Sequence, residues 1–353
     1  MSVNIQQILD SFPDLLTHIA GDTGTELSGP CAQENPQKSG IAYTSDPEIA
    51  NDLLKSNLGA LVVAEKILDK IDKDSSKPTL LSSKNTYLSL AKVNGKFFQL
   101  PFLKQPFHDA QIHSTAVIHE SAKIHKTVVV SPGVVIYENV EIGANSFIGA
   151  NSVIEANTTI GDNAFIHPQV YIGHTVNIGN NVSIKPHSTV GSDGFGFAQD
   201  EKRTSYQIPH YGELIIEDDV HIGANVNIDR GTFEKALIKR CTKIDNHCHL
   251  AHNIEVGEDC LITAGFISAG SAKMGNRVTT AGRVSLNGRT HICDDVMVGP
   301  HSAVSNHIKK PGIYAGFPPI PMKDFLKSSA SLASLPKMRR QITKILKHLG
   351  IDE

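Results

Sequence analysis

The chain has 353 residues, with 33 Lys and Arg against 36 Asp and Glu and a formal charge of −3. At 40% hydrophobic residues it is not a disordered chain, and without net positive charge it is not a nucleic-acid binder resting on overall electrostatics. Only 6% of residues are aromatic and there is no Trp, so something other than aromatic packing must fill the interior.

Five cysteines, Cys31, Cys241, Cys248, Cys260 and Cys293, form no C-x-x-C pair, and their odd number argues against a disulfide framework. A reduced, cytoplasmic protein is expected. The N-terminus MSVNIQQILDSFPDLL lacks a basic region followed by an apolar run, and no segment reaches the ~18 apolar residues of a membrane span.

Residues 1 to about 105 read as a small α/β domain. PEIANDLLKSN is expected to be a helix with Pro at its start, ALVVAEK a buried strand and NTYLSLAKV a second helix.

From Ile112 the pattern changes to a strict period of six. Every sixth residue through Val190 is Ile or Val, which no helical period near 3.6 produces. Four residues after each Ile or Val the slot is small or β-branched, as in Ala116, Val128, Ser146, Thr158 and Val176. Gly and Asn recur just after the Ile. The pattern predicts a mainly β chain folded into a parallel β-helix, with Ile and Val stacked inward and Gly and Asn tolerating the corner conformations. A narrow aliphatic core of this kind needs few aromatics.

The period breaks twice, and breaks in a repeat array are where function is inserted. Ile216 follows Val190 two positions later than four hexads allow, across an excursion loop, GSDGFGFAQDEKRTSYQIPHYGEL; Ile238 follows Ile228 by a step of ten instead of six, across DRGTFEKAL. Later, Ser268 and Thr280 take inward slots and are expected to loosen the core.

In the tail, Leu335, Met338, Ile342, Ile345 and Leu349 lie at helical spacing after an expected break at Pro336. Residues 321–350 carry +6, leaving −9 for the remainder. That segment suits either a solvated amphipathic helix packed against its own copies or a dock for an acidic partner.

The segments GSDGFGFA (191–198), IGANVNIDRG (222–231), KIDNHCHLAHNIEVG (243–257) and PGIYAGFPPIP (311–321), in this order on a hexapeptide prism, resemble the UDP-3-O-(3-hydroxyacyl)glucosamine N-acyltransferases of lipid A biosynthesis, members of the hexapeptide-repeat acyltransferase superfamily. The resemblance implies a left-handed β-helix with three hexads per coil and a homotrimer with active sites between subunits. It divides the chain into an N-terminal α/β nucleotide-binding domain (1–105), a β-helix acyltransferase domain (106–315) and a C-terminal helical extension (316–353). It also implies acyl transfer from acyl carrier protein to the 2-amine of a UDP-sugar. No metal and no cofactor beyond the carrier's phosphopantetheine are called for.

Residue by residue, His252 matches the family's catalytic base and Gly270 the glycine whose N–H binds the oxyanion. Asp245 corresponds to an acid near the base. Asn246, His249 and Asn253 match positions lining the same groove. The family's second active-site His follows Asn-Gly, where this chain has Arg289; Arg cannot act as a base at neutral pH, so Arg289 is expected to bind without proton transfer. Tyr43, Asp46 and Ile49 fall where the family grips uracil with an aromatic, an Asn and a second aromatic. Ala303 and Ser305 are small at the acyl groove, which predicts room for a longer chain. His113, His119, His125 and His167 are expected to be ordinary corner residues.

Three rivals share the prism. One is an acyltransferase acting on a different sugar nucleotide, through a hydroxyl or a diamino sugar. The second is a zinc enzyme using His247, His252 and His210, and the third is a non-catalytic scaffold.

Overall fold

The computed structural model describes residues 2–98 and 111–350. The chain forms two compact units, divided at residues 106 and 107.

In the first unit, strands Gly29–Pro30, Gly40–Thr44, Ala60–Ala64 and Thr79–Ser83 run parallel, and Thr17–Ala20 closes the far edge antiparallel to the last of them. Gly40–Thr44, Ala60–Ala64 and Thr79–Ser83 are buried throughout, which explains the unbroken apolar run at ALVV. Helices α1 (Ile5–Ser11), α2 (Pro47–Leu54) and α3 (Thr86–Phe97) accompany the sheet. Each begins where a short polar side chain caps the first free N–H groups: Asn4, Asp46 and Asn85. Both expected helices and the expected strand are present, the strand continuing into a 3₁₀ turn at Glu65–Lys70.

The second unit is a triangular prism. Each two-residue strand pairs in parallel with the strand three hexads on, Ile136 with Ile154 and Ile148 with Ile166, so three hexads complete one coil. Among the described residues three sheets of 11, 10 and 9 strands result, the parallel β-helix expected of the hexads. The sheets follow one another along the chain, and we call them first, second and third from Val129–Val130, Val135–Ile136 and Glu141–Ile142.

Corner chemistry accounts for the rest of the repeat. From Ile136 onward the third residue after most inward Ile positions takes the left-handed conformation, φ 58° at Asn145, 59° at Asn151 and 58° at Asn157, which Asn tolerates better than other side chains. The small slots hold a second device. Ser146, Ser152, Thr158, Ser188 and Thr242 are buried, and each hydroxyl donates to a carbonyl and accepts a backbone N–H one coil on, such as Ser146 Oγ to Gly161 O at 2.8 Å and Ala164 N to Ser146 Oγ at 3.0 Å. Each coil is thus tied to the next from inside the core.

Ser268 and Thr280, where a looser core is expected, are both buried, the Thr280 hydroxyl finds no hydrogen-bond partner among the described residues, and Phe266 is fully buried in the same core. All five cysteines are free thiols.

The tail forms α4 (Met322–Leu332) and α5 (Leu335–His348). It clusters with the prism and not as a unit of its own. The break falls at Ala333–Ser334, and Pro336 sits within the first turn of α5, where its missing N–H costs nothing. No helix among the described residues is long and apolar enough to cross a membrane.

Candidate active site

Both breaks in the period open at one edge of the prism, the corner between the second and third sheets. Gly191 follows the second-sheet strand position Val190, and Asp229 follows Ile228 at the same corner one coil on. The register then stacks Ala251, Ala269, Asn287 and Ser305 at successive levels of this corner, each directly after a second-sheet strand. His252, Gly270 and Gly288 form the adjoining column. The inserted segments and His252 therefore share one edge.

Asn253 fixes the state of His252. Its Oδ1 accepts the backbone N–H of Thr232 at 3.1 Å and the Thr232 hydroxyl at 3.1 Å, so this end of the amide is oxygen. His252 Nδ1 lies 3.0 Å from the same oxygen and 3.3 Å from Thr232 Oγ1. An acceptor facing Nδ1 requires the proton there, which leaves Nε2 as the basic nitrogen. Thr232 reaches this position because the lengthened step across DRGTFEKAL carries the chain out from the corner.

Nε2 faces Gly270 so closely that a Cβ at Gly270 would lie 2.5 Å from both His252 Nε2 and Cε1. The Gly270 N–H has no acceptor among the described residues, and the sequence shows why. At other corners an Asp or Asn one coil on caps this N–H, as Asp162 does for Ala144 and Asn276 for Glu258; above Gly270 stands Gly288, which has no side chain.

Beneath His252 lies a buried acid, Asp229, 5% exposed. Its carboxylate is 3.2 Å from Ser192 Oγ and 3.9 Å from His249 Nε2. Burial pushes its carboxyl above the usual range, against the opposing pull of His249, Ser192, His252 and His210. His210, from the excursion loop, sets its ring edge-on to His252 with centroids 5.5 Å apart.

Arg230 is fully buried below this group. It donates from Nε to Gly191 O at 3.0 Å and again from Nη2, and its Nη1 meets the His174 ring at 2.8 Å. It pins the root of the excursion loop.

The expected residues divide accordingly. His252, Gly270, Asn253 and His249 come together. Within one chain Asp245 and Asn246 do not join them: they occupy the corner between the first and second sheets, with the strand His249–Leu250 between them and His252. There Asp245 accepts the N–H of Asn246 at 2.7 Å and of Ala264 at 3.1 Å, and Asn246 accepts that of Ala224 at 2.7 Å. These are turn caps. The acid near His252 is Asp229, visible in NIDRG but not singled out from it. His247 stands at the same distant corner as Asp245, so the H-x4-H pair is divided between two edges. Among the described residues no three His, Cys, Asp or Glu side chains converge as a metal set.

Arg289 sits two levels above Asn253 at the same edge, exposed, with its N–H on Gly270 O at 3.1 Å. Ala303 lies on the outward face of the second sheet in the column His249, Ile267, Ser285, Ala303, and Ser305 continues the Ala251 column. His113, His119 and His125 are turn residues, each Nδ1 accepting the N–H two residues on.

In the first unit Tyr43, Asp46 and Ile49 line a cleft of about 520 Å³ together with Gln33, Tyr87 and Leu90. Tyr43 is 8% exposed, and its hydroxyl donates to Asn94 Oδ1 at 3.2 Å. Asp46 lines the cleft while its Oδ1 caps α2, accepting from Glu48 N at 2.8 Å and Ile49 N at 3.3 Å. The aromatic face open at this cleft belongs to Tyr87, 83% exposed, which the sequence reading passed over.

A family model described as GMPPB C-terminal domain matches residues 111–194. The chain is 40% identical over 164 residues to UDP-3-O-acylglucosamine N-acyltransferase of Methylococcus capsulatus, covering 46% of each chain. It is 40% identical over 143 residues to the protein of that name from Campylobacter lari, covering 40% of this chain and 45% of the relative. The chain spans about half the length of the curated relatives it matches. Among solved structures, UDP-N-acetylglucosamine acyltransferase from Campylobacter jejuni superposes with a TM-score of 0.41 at 18% identity, covering 69% of this chain and 91% of that one.

Proposed function

We propose that this chain is a UDP-3-O-acylglucosamine N-acyltransferase, moving a 3-hydroxyacyl chain from acyl carrier protein to the 2-amine of the sugar nucleotide with His252 as general base. The observation that carries this reading is the commitment of His252 Nδ1 to Asn253 Oδ1, which leaves Nε2 basic beside the uncapped N–H of Gly270. Relatives bearing that enzyme's name, 40% identical over about half their length, support it.

In this mechanism the amine lone pair attacks the thioester carbonyl carbon and a C–N bond forms. His252 Nε2 takes one amine proton while the Asn253 oxygen holds Nδ1–H in place. The Gly270 N–H donates to the oxyanion, and the negative field of Asp229 favours the imidazolium as it forms. Collapse breaks the C–S bond, and His252 returns the proton to the leaving sulfur. Arg289 binds a phosphate or the acyl hydroxyl and moves no proton.

The acyl chain runs up the second sheet past Ile267 and Ser285 toward Ala303 and Ser305. Ala303 lies three levels above His249, roughly 14 Å at ~4.8 Å per level, which suits a long chain. Uracil stacks on Tyr87 in the first-unit cleft. The enzyme works as a homotrimer in the cytoplasm, where its thiols stay reduced, and the +6 tail meets the acidic carrier protein in a contact that weakens with salt.

The test is mass spectrometry of UDP-3-O-acyl-glucosamine incubated with hydroxyacyl carrier protein and the purified chain. A product heavier by one acyl group is expected, slowed about 10²- to 10⁴-fold by His252→Ala. No product from folded wild type across several acyl lengths overturns the proposal.

A further inference from the structure

One buried imidazole, His210, takes no part in that chemistry. It is 4% exposed, and its Nε2 is buried with no hydrogen-bond partner among the described residues. Its Nδ1 lies 3.0 Å from Ile208 O. A carbonyl only accepts, so Nδ1 carries the proton and Nε2 is a bare acceptor. A buried acceptor without a donor is costly, and such an orphan calls for a donor that arrives from outside the chain.

The geometry says where that donor comes from. A Cβ on Gly194 would lie 3.0 Å from His210 Nε2 and, on its other side, 2.7 Å from His252 Cβ. Only a residue without a side chain fits against the two imidazoles at this point, and their rings meet edge to face. Two imidazoles with both Nδ1 protons committed, one to Ile208 and one to Asn253, therefore present two acceptor nitrogens at one edge of the prism.

We propose that His210 is a substrate-binding residue whose Nε2 accepts the second N–H of the attacking amine, so that the site selects an amine over a hydroxyl nucleophile. This rests on the N-acyl transfer reading. A primary amine has two N–H bonds: His252 removes one proton as the C–N bond forms and the C–S bond breaks, and the other stays on nitrogen in the amide product. Held by His210, that second N–H turns the nitrogen lone pair toward the carbonyl carbon. A hydroxyl has one O–H and leaves His210 unpaired in the transition state. His210 itself transfers no proton.

The experiment compares wild type, His210→Phe and His210→Gln with matched acceptors bearing 2-amino or 2-hydroxy groups, and with 3-hydroxyacyl or unsubstituted acyl donors. Folding is checked by thermal melting. Phe keeps the ring without an acceptor, and Gln restores an acceptor oxygen. The expected result is a loss in kcat/KM of about tenfold or more for His210→Phe with the amine, a smaller loss with the hydroxyl acceptor, an unshifted low-pH limb and recovery in His210→Gln.

Equal losses on both acceptors make His210 structural and overturn the inference. A loss confined to 3-hydroxyacyl donors overturns it too, because the orphan then serves the acyl hydroxyl. Should wild type form no amide, the function reading falls by itself. Calorimetric binding of the two acceptors then decides the inference separately: an amine preference in wild type that His210→Phe abolishes supports it, and equal binding by both proteins ends it.

Discussion

Replacing Gly270 by Ala adds one methyl group and leaves the backbone N–H in place, so it separates crowding of the base from loss of an oxyanion donor. Gly270 does not occupy the left-handed region, and Ala there strains no backbone. Its Cβ would stand 2.5 Å from His252 Nε2 and Cε1, where ordinary contact begins near 3.4 Å, so the imidazole must retreat by about 1 Å. His252 is partly exposed, so the retreat is toward solvent. Retreat of that size stretches the Nδ1 contact to Asn253 and moves Nε2 from the nucleophile, and a 1 Å misplacement of a reacting group costs about 10²-fold. The assay is single-turnover amide formation with saturating acceptor, alongside thermal melting. The expected outcome is a kcat lowered about 100-fold with Tm within about 2 °C of wild type, since one solvent-facing ring moves and no core is disturbed. A folded variant that turns over within about threefold of wild type, under 1 kcal/mol of barrier, refutes the placement of His252 against Gly270 during catalysis.

Asn253→Asp keeps an acceptor for Thr232 and for His252 Nδ1–H and adds a negative charge beside the ring, so the acid limb of the kcat profile should move upward in pH. Asp229→Asn removes a buried charge. Because burial raises the Asp229 pKa above its unfolded value, ionisation there weakens the fold as pH rises past the unfolded carboxyl range. The amide should therefore raise Tm at pH 7 while lowering kcat, with the Tm gain vanishing in acid where wild type is protonated; an unchanged melting curve at pH 7 counts against the burial argument. Asp245→Asn keeps one acceptor oxygen and so caps the N–H of Asn246 or of Ala264 but not both; it should lower Tm slightly while leaving kcat within a few fold of wild type. A fall of about 10²-fold would return Asp245 to the base's side.

What could be read from the sequence follows from where the determinants lie. The prism was legible because one rule repeats: an inward Ile or Val, a residue tolerant of positive φ three places on, and a small slot after that. The breaks marked the edge that carries the candidate site for the same reason, since a register of six cannot absorb the excursion after Val190 or the lengthened step after Ile228 without leaving the corner. Phe266 escaped because nothing in the hexad pattern marks a large side chain in a slot that holds Val or Ser in other coils.

The site itself was half legible. His252, Asn253 and Gly270 act through their own corner and the one a coil further on, a relation the period supplies. Asp245 looked close at seven residues' separation, but on a three-sided prism seven residues are more than one face, so nearness in sequence there means distance in space. The converse holds for Asp229, His210 and Thr232: each lies several hexads before His252 and reaches it because the interrupted coils return to the same edge. On this fold the informative separation is a whole number of coils, adjusted for the inserted loops. Counting the enlarged coil from Asn227 to its partner His249 in that way places Asp229 directly beneath Ala251, next to His252. The buried acid therefore belongs to the base through the stacking of the coils, and the prism brings the charge to the imidazole without any local sequence motif joining them.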